Sequence, residues 1–474
     1  MFLADESRRG EFEVHSEVSP EWIASRIDRL PGTVSLWKLV LLISLGGWFE
    51  LYDLFLTGYI APGLAKSGLL TLTTEGYFGF YGIGAFIAAT FAGLFIGTFC
   101  LGFLPDRLGR RFVFTYALLW YTVAAAAMAC QISPGGILVW RFVAGIGVGL
   151  EIITIDAYLI ELMPERLHGR TFAFNQAIMF SAVPVVALLS WQVVPYEPFG
   201  VQGWRWVVLF GSLGAVIIWF IRRAIPESAL WLAQQGRGNE AVRILSDLEA
   251  RAIRALGQPL PAPLPSRVSI REVTADLSGV FRAPYRFRLI TLVVFNICQV
   301  IGYYGFANWV PTLLLANGVG VTESLAYSAV IAIANPIGPL IALSFADRID
   351  RKWVIVSSAF TVTVVGAGFS YIAEPSYLIA CGALITLANT ILSCAYHAYQ
   401  VEIFPVSIRA RAGGIAYSFS RLAATSSGFL IAFFLKEFGV SGVFGLISAC
   451  MVAVMLVIGI FGPSRKSLRR EAHS

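Results

Sequence analysis

Glu50, Asp53, Arg141, Glu151, Asp156 and Arg421 all stand inside long apolar runs. An ionised side chain at a bilayer centre costs on the order of 3 kcal/mol, so each is either held in a structural ion pair or placed there for chemistry. That chemistry is narrow. A carboxylate can take and release a proton, and a guanidinium can hold a carboxylate. Counting about 1.5 Å per residue of helix sorts them by depth. Asp53 lies sixteen residues past Trp37, about 24 Å from the inner surface and so in the outer half. Arg141, twenty residues before Glu161, falls on the outer side of its own run. Opposite charges at similar depth are expected to pair, and Gly145 and Gly149 give the Arg141 helix a small face for close approach. Glu50 precedes Asp53 by one turn on the same face. Glu151, ten residues from Glu161, is about 15 Å deep, near the midplane. Either carboxylate is an alternative to Asp53 as a proton carrier. Asp156 is shallower, and reads equally as a functional group or as part of a network of charges at the inner surface. Arg421, ten residues beyond Arg411, is again about 15 Å deep. It either binds a substrate carboxylate or has a structural partner.

Uncharged polar residues at helical spacing extend the candidate cavity. Asn296, Gln299, Tyr303, Tyr304, Asn308 and Trp309 recur at three- to four-residue steps in one run, and Asn175, Gln176 and Asn335 add amides from two others. Such groups can hold a polar organic molecule or hydrogen-bond neighbouring helices. His397, flanked by Tyr396 and close to Tyr399, is either a pH-sensitive group or a packing residue.

The elements that carry these residues follow from composition. Of 474 residues 57% are hydrophobic and 14% charged. About twelve apolar runs are long enough to cross a hydrocarbon core of roughly 30 Å as helices, and their helical patterning means a bundle, not a barrel. The spans are read at 36–60, 77–101, 112–131, 135–160, 172–194, 204–223, 287–316, 323–345, 353–372, 376–402, 412–435 and 439–462. With an inner N-terminus, about 30 of the 35 Lys and Arg fall on one side, as the positive-inside rule requires. Both termini are therefore expected in the cytoplasm. The net charge of +6 is used up by this asymmetry, which leaves no basic face for nucleic acid. The six cysteines show no paired spacing and no metal framework. No G-x-x-x-x-G-K-[ST] loop supports direct use of ATP, and no cofactor is implied. The N-terminus lacks a signal-peptide core. Ser19-Pro20-Glu21-Trp22 is a helix start, and Asn239–Leu256 has the spacing of a surface helix.

Two motifs recur at one offset. Asp106-Arg107-Leu108-Gly109-Arg110-Arg111 returns as Asp347-Arg348-Ile349-Asp350-Arg351-Lys352, and Ala157-Tyr158 with Glu161, Pro164 and Arg170 returns as Ala398-Tyr399 with Glu402, Pro405 and Arg411, each 241 residues on. Two halves built alike are the simplest source. The division expected is 1–35 as a cytoplasmic segment, 36–223 and 287–462 as two six-helix bundles, 224–286 as a cytoplasmic linker, and 463–474 as a tail. Glu50, Asp53, Arg141 and Glu151 have uncharged counterparts in the second half, Thr291, Val294, Gly382 and Leu392, so coupling should reside in the first half.

Taken with Gly102, the first of these loops resembles the signature of the major facilitator superfamily. Arg141 to Gly149, Glu161 to Arg170 and Pro226-Glu227-Ser228-Ala229-Leu230-Trp231-Leu232 resemble signatures of its sugar-porter-like branch. The Gly-Pro-rich stretch expected in the tenth span is replaced by Ser393-Cys394-Ala395-Tyr396-His397-Ala398-Tyr399-Gln400. Trp48 to Phe55 and Gly149-Leu150-Glu151 are similar to metabolite:proton and aromatic-acid:proton symporters. The resemblance implies an all-α integral membrane protein, with Asp53 as proton acceptor and Arg141 as its regulator. It also implies a monomeric secondary transporter of the plasma or bacterial inner membrane, not an enzyme, moving a small organic acid with a proton by alternating access. A sugar or polyol porter and a non-transporting membrane sensor are the alternatives. Asp106, Arg107, Arg110, Arg111, Glu161 and Arg170, with Asp347, Arg348, Arg351, Glu402 and Arg411, are expected to form cytoplasmic latches, which Asp156 could join.

Overall fold

The computed structural model describes residues 18–72, 82–214, 224–263, 281, 285–345, 349–369, 372, 374–404 and 406–464, excepting the side chains at 343–345, 401, 406, 407 and 409–411. The expectations placed on Asp347 and Arg348, and on the side chain of Arg411, lie outside these residues. Among the described residues regular structure is helical, apart from one bridge between Thr71 and Gly82. Helices satisfy their own backbone hydrogen bonds, which is what apolar runs in lipid demand.

A short helix α1 (Pro20–Asp28) starts where the sequence places it, with the Ser19 hydroxyl accepting from the Trp22 N–H at 3.2 Å. The long helices of the first half are α2 (Val34–Lys66), α3 (Ile83–Leu101), α5 (Arg110–Ala129) and α6 (Pro134–Leu162), with a one-turn α4 (Leu104–Leu108) in the loop between α3 and α5. The fifth span is broken at Ser181 into α7 (His168–Phe180) and α8 (Ala182–Val193). The sixth is represented by α9 (Gly203–Ser212).

Two further helices, α10 (Ala229–Gln234) and α11 (Gly238–Leu256), precede the second half. The second half has α12 (Tyr285–Ala307), α13 (Val310–Ala316), α14 (Val321–Ala332), α15 (Ala334–Phe345), α16 (Arg351–Phe369), α17 (Pro375–Glu402) and α18 (Val406–Leu456). Among the described residues ten helices are long and apolar enough to span a membrane. One of them, over Ala412–Phe461, contains two spans, because α18 reverses at Gly439 (φ 64°, ψ −164°), a conformation suited to glycine. That makes eleven spans among the described residues, and α9 stands at the place of the sixth.

The seventh span, read as one helix, breaks at Asn308 and Trp309. Pro311 lacks an N–H and fits only the first turn of a helix, so α13 must start anew there.

Two seams of small residues set the packing. A Cβ added to Gly93, Gly97, Gly145 or Gly149 would collide with the backbone of the opposing helix, so α3 and α6 touch main chain to main chain. Gly145 and Gly149 therefore serve approach to α3, not to α2 as the sequence suggested. The halves meet in the same way. A Cβ on Gly84 of α3 would stand 2.8 Å from the Gly428 carbonyl of α18, and Gly58 of α2 lies against the Asn308 carbonyl.

A second, smaller core lies beside the bundle. Ile23, Ile27 and Leu30 bury against Trp231, Leu232 and Leu245 of α10 and α11. Each large aliphatic side chain so buried contributes about 1.5–3 kcal/mol. Arg26 and Arg29 both reach Glu249 at 2.6 Å. Burial alone would raise the Glu249 carboxyl, but hydrogen bonds from Arg26 and Arg29 outweigh it and hold the group below the usual carboxylate range.

Candidate functional site

The α3–α6 seam delivers Arg141 to the side of α2, where it is fully buried. Its Nη1 donates to both oxygens of Asp53, at 3.0 and 2.9 Å. Nη2 donates to the Asp53 carbonyl at 2.6 Å and to the Thr57 hydroxyl at 2.7 Å. Nε donates to the Thr90 hydroxyl at 2.9 Å, and the Thr90 hydroxyl in turn donates to the Phe86 carbonyl at 3.1 Å. A guanidinium has five N–H donors, and every nitrogen is engaged here. Removing one member of such a pair leaves a buried uncompensated charge, a loss of about 3–5 kcal/mol.

One turn from Asp53 the situation is opposite. Glu50 is 1% and Glu151 0% exposed, yet Glu50 Oε2 and both Glu151 oxygens have no hydrogen-bond partner. Glu50 lies within Coulombic reach of Glu151, Asp156 and Asp53, and of Arg421 from the other half. Arg421 is also buried, with its guanidinium 4.4 Å from the centre of the Tyr417 ring and Nη2 donating to the Tyr417 hydroxyl. Its Nε has no acceptor. Tyr304, packed on Phe91 of the first half at 4.6 Å, stands close to the same guanidinium. Asp156 is exposed, also within reach of Arg421.

The uncharged candidates divide into engaged and unengaged groups. Asn296 donates to the Leu292 carbonyl at 2.8 Å and to the Tyr396 hydroxyl, while Tyr396 stacks on Phe295 at 4.1 Å, so this group ties α12 to α17. Asn335 donates to the Ala332 carbonyl at 3.1 Å. Exposed His397 bonds the Ser393 carbonyl at 2.8 Å. Gln299, Tyr303 and Trp309 are buried, and Gln176 is half-buried. In contrast, both amide atoms of Asn308 and Oδ1 of Asn175 are buried without a partner.

At the end of the bundle that carries α1 and α4, Arg110 binds Glu161 at 2.7 Å and Asp106 at 2.6 Å. Arg351 pairs with Glu402 in the second half. Arg107 stacks over Phe103 at 5.0 Å, and Arg170 is exposed. The Arg111 backbone N–H donates to Glu227 Oε1 at 3.0 Å. Glu227 is admitted there because Gly109 (φ 99°) has no side chain; a Cβ would stand 2.6 Å from its Oε2. The Trp231 indole donates to the Asp106 carbonyl at 2.7 Å.

Thr57 and Thr90, which complete the hold on Arg141, carry no charge and so escaped a search for ionisable groups. The signal for Thr57 was its position one turn beyond Asp53. Glu227 and Trp231 were visible only as part of a motif. A cavity of about 590 Å³ opens on the flank between α16 and α17, lined by apolar residues including Trp353, Phe360 and Leu387, away from all of these charges.

Residues 39–472 match the family model described as "Sugar (and other) transporter". The chain is 29% identical to the metabolite transport protein YyaJ of Bacillus subtilis, over 93% of this chain and 95% of that one. It is 27% identical to the niacin transporter NiaP of Acinetobacter baylyi, over 95% and 99%. Its fold is similar to that of the xylose transporter XylE from E. coli in a partially occluded inward open conformation, with a TM-score of 0.73 at 18% identity, covering 92% of this chain and 99% of the other.

Proposed function

Because the chain belongs to the sugar (and other) transporter family, within the major facilitator superfamily, we propose that it is a proton-coupled symporter of a small organic acid working by alternating access. The observation that carries this reading is the buried Asp53–Arg141 pair. A charge pair so deep in a membrane bundle is costly unless it works, and it occurs in only one of two halves that otherwise repeat. While Arg141 engages both carboxylate oxygens, its N–H groups occupy the positions a proton would use. Withdrawal of Arg141 during the conformational change frees Asp53 to take one. The carboxylate assignment is supported by Arg421, a buried cation whose Nε still lacks an acceptor.

Residues 36–223 and 287–462 act as the two moving bodies in this reading, joined by 224–286. The end with α1 and α4 faces the cytoplasm, and a single chain in the plasma or inner membrane performs the cycle. The Arg110–Glu161 and Arg351–Glu402 pairs are the latches that stabilise one state. Solvated pairs are individually weak, so they act together. Gln299, Tyr303, Asn308, Trp309, Asn175 and Gln176 contribute to the substrate cavity.

A second reading, a sugar or polyol porter, draws support from the unpartnered amides of Asn308 and Asn175, which hydroxyl groups would satisfy. Transport competition in proteoliposomes decides between them. Organic acids are expected to compete and neutral sugars to have no effect; the reverse result would assign a sugar porter.

A further inference from the structure

Glu50 of α2 and Arg421 of α18 each keep an atom that their local contacts leave unsatisfied. Each is at least nine-tenths buried, and they lie within Coulombic reach of one another across the two halves, with no hydrogen bond between them among the described residues. We propose that Glu50 and Arg421 form a substrate-operated proton switch, in which a monocarboxylate that engages Arg421 removes the counter-charge of Glu50, and Glu50 then takes a proton.

The charges around Glu50 make this the balanced outcome. Glu151 and Asp156 of α6 and Asp53 of its own helix are the acidic neighbours, and Arg421 is the cation. Tyr121 of α5, Tyr304 of α12 and Tyr417 of α18 face it as neutral hydroxyls, and His397 of α17 stands in reach of Arg421. Asp53 and Arg141 neutralise each other, which leaves Glu50 and Asp156 within reach of one guanidinium, with Glu151 as a further negative charge beside Glu50. In the empty site Arg421 compensates the charge nearest to it. An incoming carboxylate brings a fourth negative charge and occupies the free Nε. Like charges in a buried site cannot all remain ionised. Glu50, without a hydrogen bond on Oε2 and with Arg421 as its cation, is the group that then loses its compensation; Glu151 also lacks hydrogen bonds, but Arg421 is not within its reach. The step balances: the substrate carboxylate stays ionised on Arg421, and one proton moves from water to Glu50 with formation of its O–H bond.

Asp53 cannot perform this role, because its oxygens are held by a guanidinium with no donor to spare. The two carboxylates one turn apart thus answer different events. Asp53 answers helix movement, and Glu50 answers occupancy. The assignment rests on the symport reading above and adds the substrate class, a monocarboxylate, and the residue that senses it.

The test uses the full-length protein in detergent. Arg421→Gln imitates neutralisation by substrate, so infrared difference spectra at neutral pH should show one additional protonated carboxyl relative to wild type. The added band should vanish in Glu50→Gln/Arg421→Gln and be absent in Arg421→Lys, which keeps the charge. No added band, or one that survives Glu50→Gln, overturns the switch. A thermal-shift panel of acetate, lactate, benzoate and nicotinate against their amides tests the substrate. At least one acid should stabilise the wild type with uptake of about one proton per ligand, and that uptake should be lost in Glu50→Gln. A panel in which no acid stabilises the protein, or in which the amides do so equally, overturns the substrate class. Accumulation driven by a pH gradient in proteoliposomes is measured separately. Its absence in wild type would overturn the symport reading itself, whereas intact accumulation with an unchanged carboxyl band overturns only the switch.

Discussion

Arg141 and Asp53, 88 residues apart in sequence, meet with both carboxylate oxygens within 3.0 Å of one guanidinium nitrogen. Asp53→Asn keeps the shape and most of the hydrogen bonds while removing the proton site. Accumulation against a gradient is expected to fall to background, while counterflow exchange, which needs no net proton movement, remains measurable. Full accumulation by the variant would remove Asp53 as carrier and leave Glu50 and Glu151.

Arg421→Ala should weaken carboxylates selectively. A charge-assisted hydrogen bond contributes roughly 1.5–3 kcal/mol, so affinity for an acid should fall at least about tenfold, with little change for a neutral analogue of the same shape. Binding assays on matched acids and amides read the ratio. Equal losses would mean that Arg421 supports the fold through Tyr417 and does not meet the substrate.

Gly93→Ala inserts a methyl where α6 passes main chain to main chain. Overpacking of this kind destabilises by about 1–3 kcal/mol. It should also shift Thr90 away from Arg141 and reduce transport before the fold is lost. Gly135→Ala, where nothing lies within 4 Å, is the control and should stay within about 0.5 kcal/mol of wild type. Thermal unfolding in detergent, followed in parallel with transport, checks both.

The docking of α1 should depend on pH. Glu249 is held below the usual carboxylate range in the folded state, so the contribution is complete above the unfolded value of about 4.3 and is lost as pH falls through the folded value. Neutral conditions therefore keep α1 docked, and strong acid releases it. Glu249→Gln should imitate the release at neutral pH, with trypsin cleavage at Arg26 or Arg29 faster by about tenfold, the equivalent of one lost charged hydrogen bond. Unchanged cleavage would show that the apolar contacts of Ile23, Ile27 and Leu30 hold α1 alone.

Depth along a helix can be counted from sequence, which is why Asp53 and Arg141 can be matched from the sequence alone. Direction around the helix axis could not. Gly145 and Gly149 were correctly read as a close-approach face, yet the helix they approach is α3, because seam complementarity depends on the glycines of both partners. Asn296 looked like a cavity amide and is instead spent on Leu292 and Tyr396. The same periodic spacing serves packing and binding alike. The nearness of Arg421 to Glu50 joins segments 371 residues apart in the two repeats, and no periodicity within one run could reveal it. The break at Asn308 is legible in Pro311, although the apolar run over 287–316 continues through it.

The contact of Gly84 with Gly428 bears on how fast the two halves can change their relation. Interlocked side chains would have to leave one set of grooves and enter another as the bodies tilt, and each such jump adds a barrier. Here bare main chain rests on bare main chain, a smooth bearing with no teeth to disengage. Friction at this joint should be low, so the slow step of the cycle is expected to lie in unbinding the charges and not in turning the bodies.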